Sequence, residues 1–404
     1  MSEVITIPNG LIESTLGSVI NLVGGGTPNT QIEEYWNGEI PWLSVVDFNN
    51  DNRWVFSTEK SITQLGLVKS STKLLDVGDI IISARGTVGA MAQLKEPMAF
   101  NQSCYGIKEK ENISDKNFLF YLLKSSLSQI NRNTYGAVFD TITTKTFDFI
   151  NIIVPKNINE QKSIVQILTS FDDKIELLQA QNKTLETLAQ TIFIEWFGEK
   201  TDMWENVKIR DLVEITSSKR IFYDEYVSEG IPFYRSKEVI ELSTKPDITT
   251  ELFISEKRYN EIKEKFDTPK KGDILLTAVG TLGVPFQVRN NKEFYFKDGN
   301  LIWFKNFKNC ISSDFVYNWL KLQSTQDVLN MISIGSTQKA LTISSVKELE
   351  IPFIKNPELN KTFNKALKSN LDKVNHNQEQ IQTLTKTRDA LLPKLMTGEI
   401  RIKV

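Results

Sequence analysis

The strongest constraint in this sequence is an internal duplication. LLDVGDIIISARGTVG (74–89) aligns without a gap to TPKKGDILLTAVGTLG (268–283), sharing Gly78/Gly272, Asp79/Asp273, Ile80/Ile274, Ala84/Ala278, Gly86/Gly280, Thr87/Thr281 and Gly89/Gly283 at an offset of 194. LTSFDDKIELLQAQNKTLETLAQTI (168–192) aligns to LKSNLDKVNHNQEQIQTLTKTRDAL (367–391) at an offset of 199, sharing Asp173/Asp372, Gln181/Gln380 and Leu185/Leu384 among others. One match could arise by chance, but two in register require a chain of two halves. Each half holds about 200 of the 404 residues, enough to bury its own core, and each reads as a mixed domain followed by a helix.

The repeated helices carry a second periodicity. Ile164, Leu168, Phe171, Ile175, Leu178, Asn182, Leu185, Ala189, Ile192 and Trp196 alternate steps of four and three, the spacing of a coiled-coil seam with Asn182 as a polar position. Phe363, Leu367, Asn370, Val374, Asn377, Ile381, Leu384, Arg388, Leu391 and Leu395 repeat it with a more polar seam, which predicts that the second helix needs the first as its partner. The competing reading, one amphipathic helix docked on each domain, fits a strict seam of this length less well. A helix of about 38 residues is about 57 Å long. The link from Phe197 to Trp204 reaches at most about 25 Å when extended. The second domain therefore starts near the far end of the first helix, and antiparallel pairing follows.

Between the helices the chain reads as short strands. VVDF, GDIIISA, FINIIVP, GDILLTAVG, EFYFKDGNLIWF and LEIPFI are β-branched or aromatic runs bounded by Gly, Pro, Asn and Asp. DKNFLFYLLKSSLSQI (115–130) and SDFVYNWLKLQST (313–325) read as small helices, and Pro155 and Pro352 as the close of a strand before each long helix. The expected fold is α+β: two β-rich domains separated by two long helices in an antiparallel coiled coil, with an internal pseudo-two-fold. The boundaries fall at 1–157, 158–198, 199–355 and 356–404, the last segment including a tail after the helix.

Composition removes several classes of function. Cys104 and Cys310, without CxxC spacing, and the single His376 support neither a disulfide framework nor a metal site, and fit a reducing cytoplasm. His376 lies among polar residues on a predicted helix and is given no role. MSEVITIPNG has no basic start leading into an apolar stretch, and no apolar run is long enough to cross a bilayer. The formal net charge of −2 lacks the basic footprint of a protein that binds nucleic acid unaided, although partner chains can supply the cations.

The motifs divide into structural and binding candidates. Asp79 and Asp273 follow a glycine and precede an apolar run, which is turn chemistry rather than acid/base chemistry. The Gly86-Thr87 and Gly280-Thr281 loops resemble a backbone clamp, for which tight packing is the simpler reading. Gly24-Gly25-Gly26-Thr27-Pro28 offers hydroxyls and free backbone amides to phosphate oxygens but lacks the GxxxxGK ending of a nucleotide loop. The corresponding stretch of the second half, SSKRIFYDEY, offers Lys219 and Arg220 instead. Donor density therefore nominates Thr27, Asn29, Arg85, Thr87, Asn101, Gln102, Lys219, Arg220, Tyr234, Arg235, Lys237, Thr281, Ser336, Thr337, Gln338 and Lys339 as DNA-contacting residues. Trp36, Trp42 and Trp303 read as core. No methyltransferase tetrapeptide, Walker loop, nuclease carboxylate cluster or zinc motif is found, so a non-catalytic chain is expected.

GGGTPNTQIEEYWNGEIPWLSVVDF (24–48), NEQKSIVQILTSFDDKIELL (159–178), LAQTIFIEWF (188–197) and RDALLPKLMTGEIRI (388–402) together resemble the specificity subunits of type I restriction-modification systems over nearly the whole chain. The resemblance implies two target-recognition domains, each reading one half of a bipartite double-stranded DNA site. It implies helices that fix the half-site spacing and bind two methyltransferase (modification) subunits, with restriction/translocase subunits as further partners. It also implies that S-adenosylmethionine, ATP and Mg belong to those partners and that this chain holds no cofactor. The departures are local: PELN (357–360) replaces NEQK, and the second half lacks the GGGTP loop, which leaves its DNA contacts open. The alternatives are a coiled-coil scaffold with duplicated protein- or glycan-binding domains, and a hydrolase for which no catalytic constellation is visible.

Overall fold

The computed structural model describes residues 9–50, 52–134, 141–198, 202–244, 248–308, 311–335 and 339–402. They fall into two compact units, Met1–Ile175 with Leu384–Val404, and Glu176–Thr383. The cuts fall inside both long helices, after Ile175 in Ile158–Phe197 and after Thr383 in Pro357–Met396.

In the first unit the apolar run after Asp79 becomes the strand Ile80–Ser83, buried at every position. It is the middle member of a five-stranded sheet ordered Ile20–Gly24, Cys104–Glu109, Ile80–Ser83, Met91–Leu94, Trp54–Val55. Because side chains alternate across a strand, Ile80 and Ile82 enter one core with Phe118, Tyr121, Ile164 and Leu168. Ile81 enters another, with Leu43, Phe48 and Phe100. A slip of one residue would exchange the two faces, and each fully buried isoleucine is worth about 1.5–3 kcal/mol, so the register is strongly specified. A four-stranded sheet (Lys60–Ile62, Trp36–Leu43, Met98–Phe100, Leu74–Leu75) completes the domain. A two-stranded ribbon, Leu11–Thr15 with Asn151–Pro155, leads into the first long helix.

The second unit repeats the plan. Ile274–Thr277 lies in a four-stranded sheet ordered Glu214–Thr216, Leu301–Lys305, Ile274–Thr277, Pro285–Gln287. Ile274 and Leu276 face one core, and Leu275 faces the other with Phe296 and Trp303. Trp204–Lys208 pairs with Glu350–Ile354 as the ribbon before the second long helix.

The long helices span Ile158–Phe197 and Pro357–Met396, 40 residues each. Ile164, Leu168, Ile175, Leu178, Ala189, Phe363, Leu367, Val374, Asn377 and Leu395 are buried, and the other seam residues are half-buried. Within the first unit Arg388 meets Asp172, and Ile164 and Leu168 share a core with Leu392 and Leu395. Within the second, Asn377 Nδ2 donates to Asn182 Oδ1 at 2.9 Å and the Phe193 ring lies 5.5 Å from that of Phe363. In each unit rising positions on one helix meet falling positions on the other, so the segments run antiparallel.

Three local expectations are corrected. VVDF is a helical turn, Val45–Phe48, because Asp47 caps it by accepting from Ser44 N and Oγ at 2.7 and 2.9 Å. The stretch 313–325 is not one helix but the whole of Ser313–Lys321 followed by the start of Gln323–Met331. The break falls at the extended Leu322, and Gln326 Nε2 reaches back to cap the Leu320 carbonyl at 2.6 Å. Pro352 lies inside its strand, tolerated because the ribbon has only two strands and leaves one edge unpaired.

Candidate nucleic-acid interface

In the first unit the nominated residues gather at one end of the five-stranded sheet. Gly26 N donates to Phe100 O at 3.0 Å, and the Thr27 hydroxyl donates to Gln102 Oε1. Ala84 N donates to Ser103 O at 2.8 Å, placing the Arg85–Thr87 turn beside the 101–103 loop. Arg85, Thr87, Asn29 and Gln102 are exposed and Thr27 and Asn101 half-buried. Asn101 Oδ1 is occupied by Ser103 N at 3.0 Å, and Asn29 Oδ1 by Gln31 N at 3.0 Å, which leaves their amide nitrogens as the available donors.

Two readings of glycine change. The 24–28 loop is no phosphate cradle of free amides. The Gly26 amide is spent on Phe100, and a Cβ on Gly25 or Gly26 would sit 2.1 Å from Asn101 O or 2.3 Å from Thr72 N. These two glycines allow close backbone packing and leave the side chains of Thr27 and Asn29 to make contacts. Gly86 and Gly280, expected as packing residues, have nothing within 4 Å of a Cβ but both adopt φ of +79°. They are required by the turn conformation.

The second unit builds the same edge from different residues. Ser218 Oγ donates to Phe296 O at 2.7 Å, as Gly26 does to Phe100 in the first unit, so Lys219 and Arg220 occupy the place of Thr27 and Pro28. Lys219 and Arg220 are exposed, and the Lys219 amide donates to the Tyr295 hydroxyl at 2.7 Å. Ala278 N and Ser236 Oγ both donate to Asn300 O, at 2.8 and 3.3 Å, bringing the Thr281 turn and the 234–237 segment together. The Val279 to Ala340 bridge sets the exposed Lys339 nearby. Ser336, Thr337 and Gln338 lie outside the described residues. Lys297 and Asn300 share this edge and were not singled out in the sequence, since only the fold carries them there: Lys297 N donates to Tyr234 O at 2.8 Å.

The nominated residues differ in availability. Lys237 and Thr281 are exposed. Arg235 is tied to the buried Glu238, its Nη2 2.6 Å from Oε1 and its Nε and backbone amide 3.2 and 2.9 Å from Oε2. Burial opposes ionisation of Glu238, but the bonds from Arg235 outweigh it and hold the carboxyl below its usual range. Arg235 is thus first a brace for the start of its helix. Tyr234 stacks on Phe294 at 4.9 Å and is half-buried, which limits it to an edge contact. Trp42 and Trp303 are core, and Trp36 is half-buried with its ring edge against Trp42 at 5.2 Å.

The repeated carboxylates are turn braces. Asp79 accepts from Asp76 N at 2.8 Å and lies 3.1 and 3.2 Å from Lys108 and Lys116. Asp273 accepts from Lys270 N at 3.0 Å and from the Trp303 indole at 2.8 Å, and its burial raises its pKa above the ordinary value. Burial, with Asp47 nearby, pushes the Cys104 thiol up to about 12, which leaves it unreactive.

The sequence model of the family described as "Type I restriction modification DNA specificity domain" matches residues 8–187 and again 201–386, once on each half. The chain belongs to this family. Relatives bearing the specificity-subunit name include the MjaIX specificity subunit of Methanocaldococcus jannaschii, 28% identical over 98% of this chain and 95% of that one. The EcoR124I/EcoR124II specificity subunit of Escherichia coli is 37% identical over 42% of this chain and 43% of its own. Among solved structures, the type I S subunit from M. genitalium has the same fold, with a TM-score of 0.57, 19% identity and 97% of each chain covered. The family's domain thus coincides with the repeat, and in this type I specificity subunit each copy carries its own convergent edge of loops. No helix among the described residues is long and apolar enough to cross a membrane.

Proposed function

We propose that this specificity subunit reads a bipartite DNA site, one half-site per repeat, through the edges built around Thr27, Asn29, Arg85, Thr87 and Gln102 in the first unit and Lys219, Arg220, Lys237, Thr281 and Lys339 in the second. The observation that carries the reading is that the two family domains assemble equivalent edges that share the Thr87/Thr281 turn but otherwise carry different side chains. Equivalent position with different donors is what two different half-sites require. The long helices form an antiparallel coiled coil about a pseudo-two-fold and act as the ruler between half-sites, a reading supported by the antiparallel contacts within each unit. Two methyltransferase subunits bind along the helices, where Leu177, Leu188 and Ile194 leave apolar surface exposed on the first. Those subunits bring S-adenosylmethionine and flip the target adenine. Restriction/translocase subunits, where present, bring ATP and Mg. The chain itself is non-catalytic, holds no cofactor and works in the cytoplasm.

The test is methylome sequencing of a host expressing this chain with its cognate methyltransferase subunit. A split motif is expected, and Arg85→Ala should relax it in one half only while Lys237→Ala with Lys339→Ala relaxes the other. Methylation without a split motif, or single-half variants that degrade both halves alike, would overturn the reading. A coiled-coil scaffold would give no methylation phenotype at all.

A further inference from the structure

In the second unit, the loop corresponding to 24–30 leads into something the first unit lacks. Phe222 and Tyr223 are adjacent and 58% and 90% exposed. They are held out on a braced turn. Before them, Ser217 Oγ donates to Leu301 O at 3.0 Å, Ser218 Oγ to Phe296 O at 2.7 Å and Lys219 N to the Tyr295 hydroxyl at 2.7 Å, while Ile221 is anchored in a core with Phe233 and Tyr295. After them, Phe222 N donates to Glu225 Oε2 at 2.7 Å, Glu225 N to Phe222 O at 3.1 Å, and Arg258 fixes Glu225 at 2.7 Å. The Tyr223 ring meets only the edge of Tyr226 among described rings, at 6.2 Å. A protein rarely spends a rigid turn on keeping two aromatic rings in water unless something stacks on them.

Charge indicates what does. Lys219 and Arg220 precede the pair. The Lys219 ammonium lies 4.6 Å from the centroid of the half-exposed Phe266, and the Arg220 guanidinium, 72% exposed, lies 5.7 Å from that of Phe222, with Asp298 at 4.0 Å. Of the two carboxylates in the turn, Glu225 is neutralised by Arg258, leaving Asp224. Cations beside exposed rings suit a polyanion whose bases offer π faces. In the first unit the corresponding turn, Glu33–Tyr35, follows the polar Thr30 and Gln31 and the half-buried Ile32, so no such pair exists there.

We infer that Phe222 and Tyr223 form a stacking wedge for the half-site read by the second unit, set against bases while Lys219 and Arg220 sit on the flanking phosphates. This rests on the DNA-reading function proposed above. It adds that the second half-site is recognised partly by how readily one of its base steps unstacks, a property the polar loop of the first unit does not sense.

The test uses the full-length chain assembled with its methyltransferase subunits and duplexes carrying the split site, with 2-aminopurine placed in turn at each position of either half. Apart from the target adenine of each half, which the methyltransferase subunits flip, the wild-type complex should raise the fluorescence at one further step, in the second half only. Tyr223→Ala should abolish that signal and weaken binding about 5- to 100-fold, as expected for loss of one stacked base. Tyr223→Phe should retain both. Arg220→Ala should keep the fluorescence but lower the slope of log affinity against log salt by about 1. A Tyr223→Ala complex with wild-type affinity and signal would sink the wedge, and so would loss of the methyltransferase subunits on gel filtration, which would make the pair a protein contact. A wild-type complex that discriminates no split site would instead remove the function on which the wedge rests.

Discussion

The two units share the order of four strands in the central sheet, the ribbon ahead of each long helix and the turn braces, yet they join their domains to the long helices with opposite chemistry. In the first, Asp172, 4% exposed, accepts from the Tyr121 hydroxyl and pairs with Arg388, 11% exposed, at 2.5 Å. Burial works against the Arg388 charge, but Asp172 and Asp389 raise its pKa overall. At the helix offset of 199 the corresponding residues are Leu371 and Ala189, both buried. There the junction is an aromatic cluster in which Phe193, Phe197 and Phe315 surround Phe363 at 5.2–5.5 Å. Tyrosine recurs as Tyr317, but it faces Arg289 at 3.4 Å instead of a carboxylate. The comparison teaches that duplication retains shape more strictly than it retains the interactions that hold the shape. A buried ion pair adds little net stability over an apolar pair of similar volume, but it penalises any partner that lacks the matching charge.

The largest effect expected from this difference is in the apolar junction. Phe363→Ala should cost about 3–5 kcal/mol, by analogy with other buried phenylalanine truncations, and the loss should be insensitive to salt. Chemical denaturation followed by the tryptophans of the second unit would measure it; a loss below about 1 kcal/mol would mean the cluster is not a tightly packed core.

Breaking the polar junction should cost nearly as much. Arg388→Ala leaves Asp172 buried and without its cation, at about 3–5 kcal/mol. Installing the other unit's pair, Asp172→Leu with Arg388→Ala, should recover most of that loss, with Tyr121→Phe removing the remaining unpaired hydroxyl. If the double variant is no more stable than Arg388→Ala alone, the two junctions are not interchangeable.

The same difference bears on the half-molecule. Residues 1–200 alone expose the apolar seam of the first helix and should pair with an identical copy. Such a dimer, however, presents Ala189 where the intact chain presents Arg388, so both copies of Asp172 lack a cation. The fragment should dimerise weakly, and Ala189→Arg should tighten it by tenfold or more, an order-of-magnitude figure from the cost of a buried unpaired charge. Sedimentation equilibrium decides between them, and equal dimerisation of the two fragments would remove the ion pair from the account.

The smallest effect concerns the repeated turn carboxylates. Asp79→Asn leaves Lys108 and Lys116 without their buried partner. Because both lysines are about one-third exposed, solvent screening limits the cost to about 1–2 kcal/mol. Asp273→Asn should be nearly neutral, since an amide oxygen can still accept from Trp303 and Lys270. The pH dependence has a definite sign. Burial raises the Asp273 pKa, so its contribution favours the fold most at low pH and declines as pH rises from the ordinary value of 3.8 through the raised one. Asp273→Asn should flatten the pH–stability curve over that window, whereas a curve unchanged from wild type would show that Asp273 does not titrate there.

The sequence by itself determined the duplication and the two long helices, because apolar periodicity and repeated glycine turns are local and survive divergence. It also determined that Asp79 and Asp273 brace turns and that Trp42 and Trp303 are core. What only the tertiary structure decided is which donors are spent and which are available. Arg235 reads as a DNA contact until Glu238 is found three residues on with its carboxylate buried beneath it. The Gly26 amide reads as free until Phe100, far along the chain, takes it. Within SSKRIFYDEY no local signal separates Tyr226, whose ring packs against Phe233, from Tyr223, which stands in solvent. The periodicity of a helix or strand is written in neighbouring residues, but the fate of a single polar group or ring depends on partners brought from elsewhere in the chain, and one sequence carries no local mark of them.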